Sequence, residues 1–258
     1  ADVVINAAAL KQVPICEYFP DQALLTNCVG AMNIVRAIRE HAFPIETVVG
    51  ISTDKACKPI NAMGMTKALQ ERILISANLL SPATRFICVR YGNVMASRGS
   101  VIPVFQQQIA QGGPVTITLP EMTRFMLSLD DAVDTVFAAL KDAAAGETIV
   151  PDAPAATVEN IARAMIGERP IALEMIGIRP GEKMHEIMVS DEECARTVRR
   201  GAFFAILPML PELRSDAADL PAVLSRELSS ADAVISPEAT AALLDRHGLI
   251  PRPSPASR

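Results

Sequence analysis

The sequence predicts a doubly wound α/β domain lacking its amino-terminal strands, with a smaller α/β lobe, and three observations carry that expectation. Residues 47–52 (T-V-V-G-I-S) are a short β-branched apolar run, the composition of a strand buried on both faces of a parallel sheet. Residues 1–6 (A-D-V-V-I-N) read as another strand. Between the two, Val29, Met32, Val35 and Ile38 recur every third residue, which predicts an amphipathic helix over 27–42 lying on the sheet.

Composition limits the function classes. The chain has 258 residues, half of them apolar, enough for one large domain or for one domain with a smaller lobe. No apolar run approaches the ~18 residues that would span a bilayer, and no charged-then-apolar signal segment opens the chain, so no membrane insertion is expected. Cys16, Cys28, Cys57, Cys88 and Cys194 are scattered and odd in number, which argues for reduced thiols and a cytoplasmic setting. Twenty-four basic against 29 acidic residues give a net charge of -5 and no support for a nucleic-acid surface. His41, His185 and His247 have no partner at ligand spacing, so no metal site is expected.

Taken in order, the chain opens directly in a strand, without an initiating methionine, and no glycine-rich dinucleotide-binding turn occurs anywhere in it. The expectation is that two β-α units, roughly 60 to 80 residues, belong upstream. Asn6, Ala7 and Ala8 end the first strand with small residues that let a flat ring approach the backbone. Asn27 opens the next helix, and reads equally as a cap or as a cofactor contact. The strand at 47–52 then delivers Thr53, Asp54 and Lys55 to its carboxyl edge, where open α/β sheets bind ligands. Pro59 forbids an immediate helix; Ala62 starts one, with Met65, Leu69 and Ile73 on one face and Lys67 on another. Two lysines, a carboxylate and a hydroxyl thus converge on one crevice.

A strand over 85–89 leads into the run R-Y-G-N-V-M-A-S-R-G-S-V-I-P at 90–103. Gly92 and Gly99 permit positive φ, and Ser100 can cap a helix beginning near Val101 whose amino end attracts phosphate. Residues 115–119 form a strand, Ser128 caps a helix bearing Val133, Val136, Phe137 and Leu140, and Thr157 opens another. In the turn I-R-P-G-E-K, Arg179 can fork onto a diphosphate and Glu182 can accept ribose hydroxyls, although a charged surface turn would read the same way. Ser190 to Glu193 is a capping box that asks for no functional reading. Residues 214–231 are loop-like, and Ser236-Pro237 and Gly248 bound a last helix.

A Ser or Thr at a strand end followed by Tyr-x-x-x-Lys on the next helix marks the short-chain dehydrogenase/reductases; here Thr53 and Lys67 match and Met63 stands where the tyrosine belongs. Thr-Asp-Lys after the strand, Pro-Ile-Asn-Ala-Met-Gly before Lys67, the run at 90–103 and R-P-G-E-K together resemble the CapD-like nucleotide-sugar 4,6-dehydratases of capsule and O-antigen synthesis. Within these the chain looks most like the UDP-N-acetylglucosamine 4,6-dehydratases that also invert C5, in which methionine replaces the tyrosine. The resemblance implies a partial Rossmann domain over 1–112, a substrate-binding lobe over 113–250 and a flexible tail over 251–258. It implies NADP, with NAD also open, a UDP-sugar substrate, and a homo-oligomer. It assigns Asp54 as acid and Lys55 as base, Thr53 as holder of the C4 hydroxyl, and Lys67 and Met63 as the altered pair. Cofactor contacts fall on Asn6, Ala7, Ala8, Asn27, Ser52, Lys67, Tyr91, Gly92, Asn93 and Val94. Substrate contacts fall on Lys11, Asn93, Arg98, Ser100, Val101, Thr123, Arg124, Arg179 and Glu182. Two alternatives stay open: a UDP-sugar 4-epimerase, which needs no acid for C6, and a non-catalytic nucleotide-sugar-binding scaffold.

Overall fold

A computed structural model describes residues 1–97, 99–214 and 220–251. The chain begins with β1 (Val3–Asn6), α1 (Val13–Tyr18) and α2 (Pro20–Ala23), the last running without a break through a π-helical stretch, Leu24–Val29, into α3 (Gly30–His41). Then follow β2 (Thr47–Thr53), a 3-10 turn (Asp54–Ala56), α4 (Ala62–Leu80), β3 (Arg85–Tyr91), β4 (Asn93–Val94) and α5 (Val101–Ala110). Next come β5 (Val115–Ile117), β6 (Thr123–Leu127), α6 (Leu129–Asp142), β7 (Thr148–Pro151), β8 (Ala155–Thr157), α7 (Val158–Ile166) and β9 (Leu173–Met175). The remainder is β10 (Ile187–Val189), α8 (Asp191–Cys194), β11 (Thr197–Arg200), β12 (Phe203–Ile206), β13 (Leu228–Ser229) and α9 (Pro237–Arg246).

By contacts the chain divides into two units, each discontinuous: residues 1–92, 130–152 and 187–229 make the first, and residues 93–129, 153–186 and 230–258 the second. This differs from the expected linear division at 112, and the reason lies in the sheet. The first unit holds six strands in the order β1-β2-β3-β7-β12-β11. β1, β2, β3 and β7 are parallel, and the hairpin of β11 and β12 adds to β7 antiparallel. Segments 130–152 and 187–229 return to complete that sheet. From residue 252 on, the expected tail lies outside the described residues.

The central strands are covered on both faces, as their unbroken apolar composition foretold. Val48, Phe86 and Cys88 point to one side, against Val35 and Ile38 of α3 and Leu74 and Ala77 of α4. Their alternates Val49, Ile87, Val89 and Ile149 point to the other side, against Ala139 and Ala143 at the end of α6. The expected helix faces are rotated. On α4, Met65 and Leu69 are exposed while Met63, Lys67, Gln70, Glu71, Leu74 and Asn78 are buried. On α6, Val133 and Phe137 are exposed while Ala132, Thr135 and Ala139 pack inward. Among the described residues no helix is long and apolar enough to cross a membrane.

In the second unit, β4, β6 and β8 form one small sheet and β5 pairs with β9 in another. Phe105 of α5, Ile117, Met122, Ile161 and Met165 of α7, and Leu244 of α9 build its core. Thr157 caps α7 through Asn160 N (3.0 Å) and Ser236 caps α9 through Ala239 N (3.2 Å).

Candidate active site

In the parallel register Ser52 lies beside Arg90, and Thr53 beside Tyr91, so the sheet delivers Thr53 to its carboxyl edge as expected. There the backbone turns. Thr53 Oγ1 accepts from Lys55 N (3.4 Å) and donates to Asp54 Oδ1 (2.9 Å), which also takes Lys55 Nζ at 3.0 Å. Asp54 is fully buried, and its second oxygen, Oδ2, is buried without a hydrogen-bond partner. Three side chains the sequence singled out are thus joined around one buried carboxylate.

The helix that follows is fitted to this turn. Asn61 caps it by accepting from Gly64 N (2.7 Å), and Glu17 of α1 accepts from Ala62 N (2.6 Å). A Cβ at Gly64 would stand 2.2 Å from the Lys55 carbonyl oxygen, so only glycine allows the helix to touch the Asp54–Ala56 turn. One turn on, Lys67 is buried; its Nζ donates to the Ile51 carbonyl and to Gln70 Oε1 (2.7 Å). Burial pushes this amine down to about 8, against the opposing charge of Glu71. Met63 packs into an apolar cluster with Cys16, Ala23, Leu10 and Val13.

Asn27 is not a cap. It sits inside the π-helical stretch, where the extra residue turns it onto α4: Oδ1 accepts from Leu10 N (2.9 Å), and Nδ2 donates to Leu10 O (3.1 Å) and Thr66 Oγ1 (2.9 Å). It ties the loop after β1 to the helix bearing Lys67. Ser52 is likewise engaged, donating to Glu71 Oε1 at 2.5 Å. Glu71 continues into a buried ion network: Arg90 reaches it through Nε (3.0 Å) and Nη2 (2.7 Å), and reaches Glu193 through Nη1 (2.7 Å) and Nη2 (3.0 Å). Burial alone would lower Arg90, but the two carboxylates hold it well above its ordinary value. Burial would raise Glu193, and Arg90 outweighs it, leaving the carboxyl low. The capping box therefore carries more than a helix start, for Glu193 also accepts from Ser190 N (3.1 Å) and from Cys57 Sγ (3.7 Å), just past the Asp54 turn.

Of the other expected contacts in this unit, Asn6 is buried at the end of β1, Ala7, Ala8 and Lys11 are exposed, and Tyr91 and Gly92 are half-buried. Burial raises the Tyr91 phenol. Asn93, Val94, Ser100, Val101, Thr123, Arg124, Arg179 and Glu182 belong to the second unit, and Arg98 lies outside the described residues. Ser100 occupies the position before α5, but its hydroxyl makes no cap and is buried without a partner. The Arg124 guanidinium turns inward to the Thr123 carbonyl (2.7 Å), Met122 Sδ (2.9 Å) and Glu186 (3.7 Å). Thr123 Oγ1 meets His185 Nδ1 at 2.8 Å and Ser230 Oγ at 2.6 Å. Arg179 and Glu182 close the expected turn, with Glu182 N donating to Arg179 O (3.1 Å). Among the described residues no cluster of three or more His, Cys, Asp or Glu side chains is placed to hold a metal.

Known proteins are similar to this chain in sequence and in fold. Proteins named UDP-glucose 4-epimerase are 47% identical over 209 residues in Rickettsia typhi, covering 80% of this chain and 61% of that protein, and 49% identical over 199 residues in Rickettsia massiliae, covering 76% and 58%. The chain thus spans about three fifths of the length of these relatives. The crystal structure of Pen from Bacillus thuringiensis superposes with a TM-score of 0.86 at 35% identity, over 95% of this chain and 75% of that one. DesIV, a dTDP-glucose 4,6-dehydratase from Streptomyces venezuelae, shares the fold at 17% identity, with a TM-score of 0.64 over 71% of this chain and 63% of that one. The family described as polysaccharide biosynthesis protein matches residues 1–208, which include the turn and helix carrying Thr53, Asp54, Lys55 and Lys67, and the chain belongs to that family.

Proposed function

We propose that the protein is a nucleotide-sugar 4,6-dehydratase that inverts C5, acting on UDP-N-acetylglucosamine in polysaccharide synthesis. The observation that carries this reading is the buried Asp54 with Lys55 Nζ 3.0 Å from one carboxylate oxygen and the other oxygen unpartnered. Oxidation at C4 needs neither group. Elimination needs both an acid for the departing C6 hydroxyl and a base for C5.

The chain's residues fit a dinucleotide: exposed Ala7 and Ala8 leave the end of β1 open to a flat ring, and the Lys67 amine stands near the end of β2. A nicotinamide dinucleotide, NADP by family likeness, supplies the hydride acceptor for C4 and the donor for C6 when bound. Thr53 Oγ1 holds the C4 hydroxyl. Lys55 Nζ takes the C5 proton made acidic by the adjacent ketone; the C6–O bond breaks, and the proton that makes the leaving hydroxyl water comes from Asp54 Oδ2. Lys67 has two of its three donors on Ile51 O and Gln70 Oε1, so the third would be the one to hold a bound cofactor's ribose or the C4 oxygen.

A second reading, a UDP-sugar 4-epimerase, is favoured by the names of the curated relatives. The two separate on product. The protein is incubated with UDP-N-acetylglucosamine and cofactor in deuterium oxide and the sugar read by NMR. A 6-deoxy-4-keto sugar, inverted and deuterated at C5, is expected. A C4 epimer that keeps its C6 hydroxyl establishes the epimerase, and a 4-keto product with C5 retained refutes the inversion.

A further inference from the structure

The Asp54 turn is gripped from a second side, by segments that return late in the chain to the first unit. β10 and β13 pair antiparallel, with Ile187 opposite Ser229; Asp191 opens α8 just after β10, and Glu227 immediately precedes β13. Lys58, two residues beyond the 3-10 turn, reaches both acids: its Nζ lies 2.9 Å from Asp191 Oδ2 and 2.7 Å from Glu227 Oε2. Its neighbour Cys57 donates through Sγ to Glu193 Oε2 (3.7 Å) and through its backbone N–H to the Asp54 carbonyl (3.0 Å). Lys58 also has a left-handed backbone, φ +43°, which residues other than glycine rarely adopt, and the Pro59 that follows favours extended backbone at this position. A conformation of that kind persists where its surroundings fix it, and here one ammonium between two carboxylates does so. The Lys58 side chain is 37% exposed and that of Asp191 63%, so the contact is open to screening by salt.

We propose that Lys58 is a positioning residue, whose ion pairs with Asp191 and Glu227 clamp the strained end of the Asp54 turn onto α8 and the start of β13 and so keep Asp54 and Lys55 in place beside Thr53. Its part in turnover rests on the reading of Asp54 and Lys55 as acid and base; the clamp itself does not. Exposed ion pairs are modest, each shifting an equilibrium by at most about fivefold, so the clamp biases the turn and does not create it. Once released, Lys58 can leave the left-handed region, and the Cys57 N–H parts from the Asp54 carbonyl more often.

Hydrogen exchange, read by mass spectrometry on peptides covering 53–58, follows that opening without substrate. In low salt Lys58→Met is expected to exchange there about fivefold faster than the parent, and Lys58→Arg, which keeps the charge, within about twofold of it, while peptides from β3 stay unchanged. In about 1 M sodium chloride, where charges are screened beyond about 3 Å, the parent and Lys58→Met should converge to within about twofold. Where Lys58→Met does not fold, Asp191→Asn with Glu227→Gln removes the same pairs from the other side, and the same rise is expected. Equal exchange in low salt overturns the proposal. So does a gap that persists in high salt, which would mean packing and not charge, and so does an equal rise in β3, which would mean general destabilisation. Turnover of the sugar that the protein converts should fall about three- to fivefold in Lys58→Met, with KM within about twofold, and recover in Lys58→Arg; unchanged turnover beside faster exchange would remove Lys58 from positioning. No sugar enters the exchange measurement, so a protein with a different reaction leaves the clamp standing, and a failed exchange test leaves the dehydratase reading standing.

Discussion

Gly64→Ala isolates the fit between α4 and the Asp54 turn. The added methyl would sit 2.2 Å from the Lys55 carbonyl oxygen, where ordinary contact begins near 3.4 Å, so turn and helix must separate by about 1.2 Å. The two nearest obstacles, the Lys55 carbonyl oxygen and carbon, are backbone, and the third, Asn61 Oδ1 at 3.2 Å, is tied to the helix start as its cap. Overpacking of this kind costs about 1 to 3 kcal/mol, while alanine inside a helix returns about 1 kcal/mol over glycine, so the net loss of stability is at most about 2 kcal/mol. The effect on rate is larger, because displacing an acid and a base by about 1 Å lowers turnover about 100-fold. Urea unfolding gives the first quantity, and sugar-dependent cofactor reduction with NMR of the released product gives the second. A variant with dehydration within threefold of the parent would show that the turn is not held by this contact, and the argument for Gly64 would fail.

Asp54→Asn and Lys55→Met should each slow water loss by about 100- to 10,000-fold while sugar-dependent cofactor reduction continues; a change below tenfold, or loss of reduction with elimination retained, contradicts their roles. Lys67 has a second consequence. Its folded value of about 8 lies below the ordinary lysine value, so between the two the unfolded chain binds more protons and stability rises with pH. The penalty of burying the ammonium is complete below pH 8 and fades above it, so the parent should gain about 2 kcal/mol on Lys67→Met between roughly pH 7.5 and 10. A difference that stays flat in urea titrations across that window would mean that the amine is not desolvated.

The parts of the fold legible in the sequence were those where pattern and burial agree. β2 and β3 are β-branched runs covered on both faces, and the polar residues that follow β2 fall at the sheet edge because a parallel strand ends there. The completion of the sheet by β7, β11 and β12 was not legible, since each is only four residues long and the antiparallel partners lie more than 40 residues apart in sequence for β7 and β12. The π-helical stretch was hidden for another reason. Val29, Val35 and Ile38 have helical spacing, and nothing in that spacing records one extra residue in the turn before. In the sequence Glu193 reads only as part of a helix start, because its Arg90 partner lies 103 residues away. Gly64 does have a local signal: Asn61-x-x-Gly places a cap and a residue without Cβ against the same turn.

The exposed Met65 and Leu69 show why α4 misleads. Its sheet-facing side carries Lys67, Gln70, Glu71 and Asn78, so apolar periodicity points away from the core. Such a face is stable only if every polar group finds a partner, and each does. Lys67 and Gln70 share the Ile51 carbonyl, Glu71 takes Ser52 and Arg90, and Asn78 grips both the N–H and the C=O of Phe86 at 2.9 Å. The helix is therefore pinned at two places with different duties: Asn78 holds the start of β3, and Lys67 with Glu71 holds the end of β2. Asn78→Leu should separate them. The Phe86 carbonyl would still accept from Gly146 N (2.9 Å), so the cost is chiefly that of the Phe86 N–H losing Asn78 Oδ1, about 1 to 3 kcal/mol. The variant should unfold at lower urea, yet the pH midpoint of the Lys67 amine, read by NMR of lysine labelled with carbon-13 at Cε, should stay within about 0.3 unit of the parent, since Lys67 lies three turns away along the helix. A shift of Lys67 by about one unit or more would mean that the helix moves as one body, and the division of labour along α4 would be wrong.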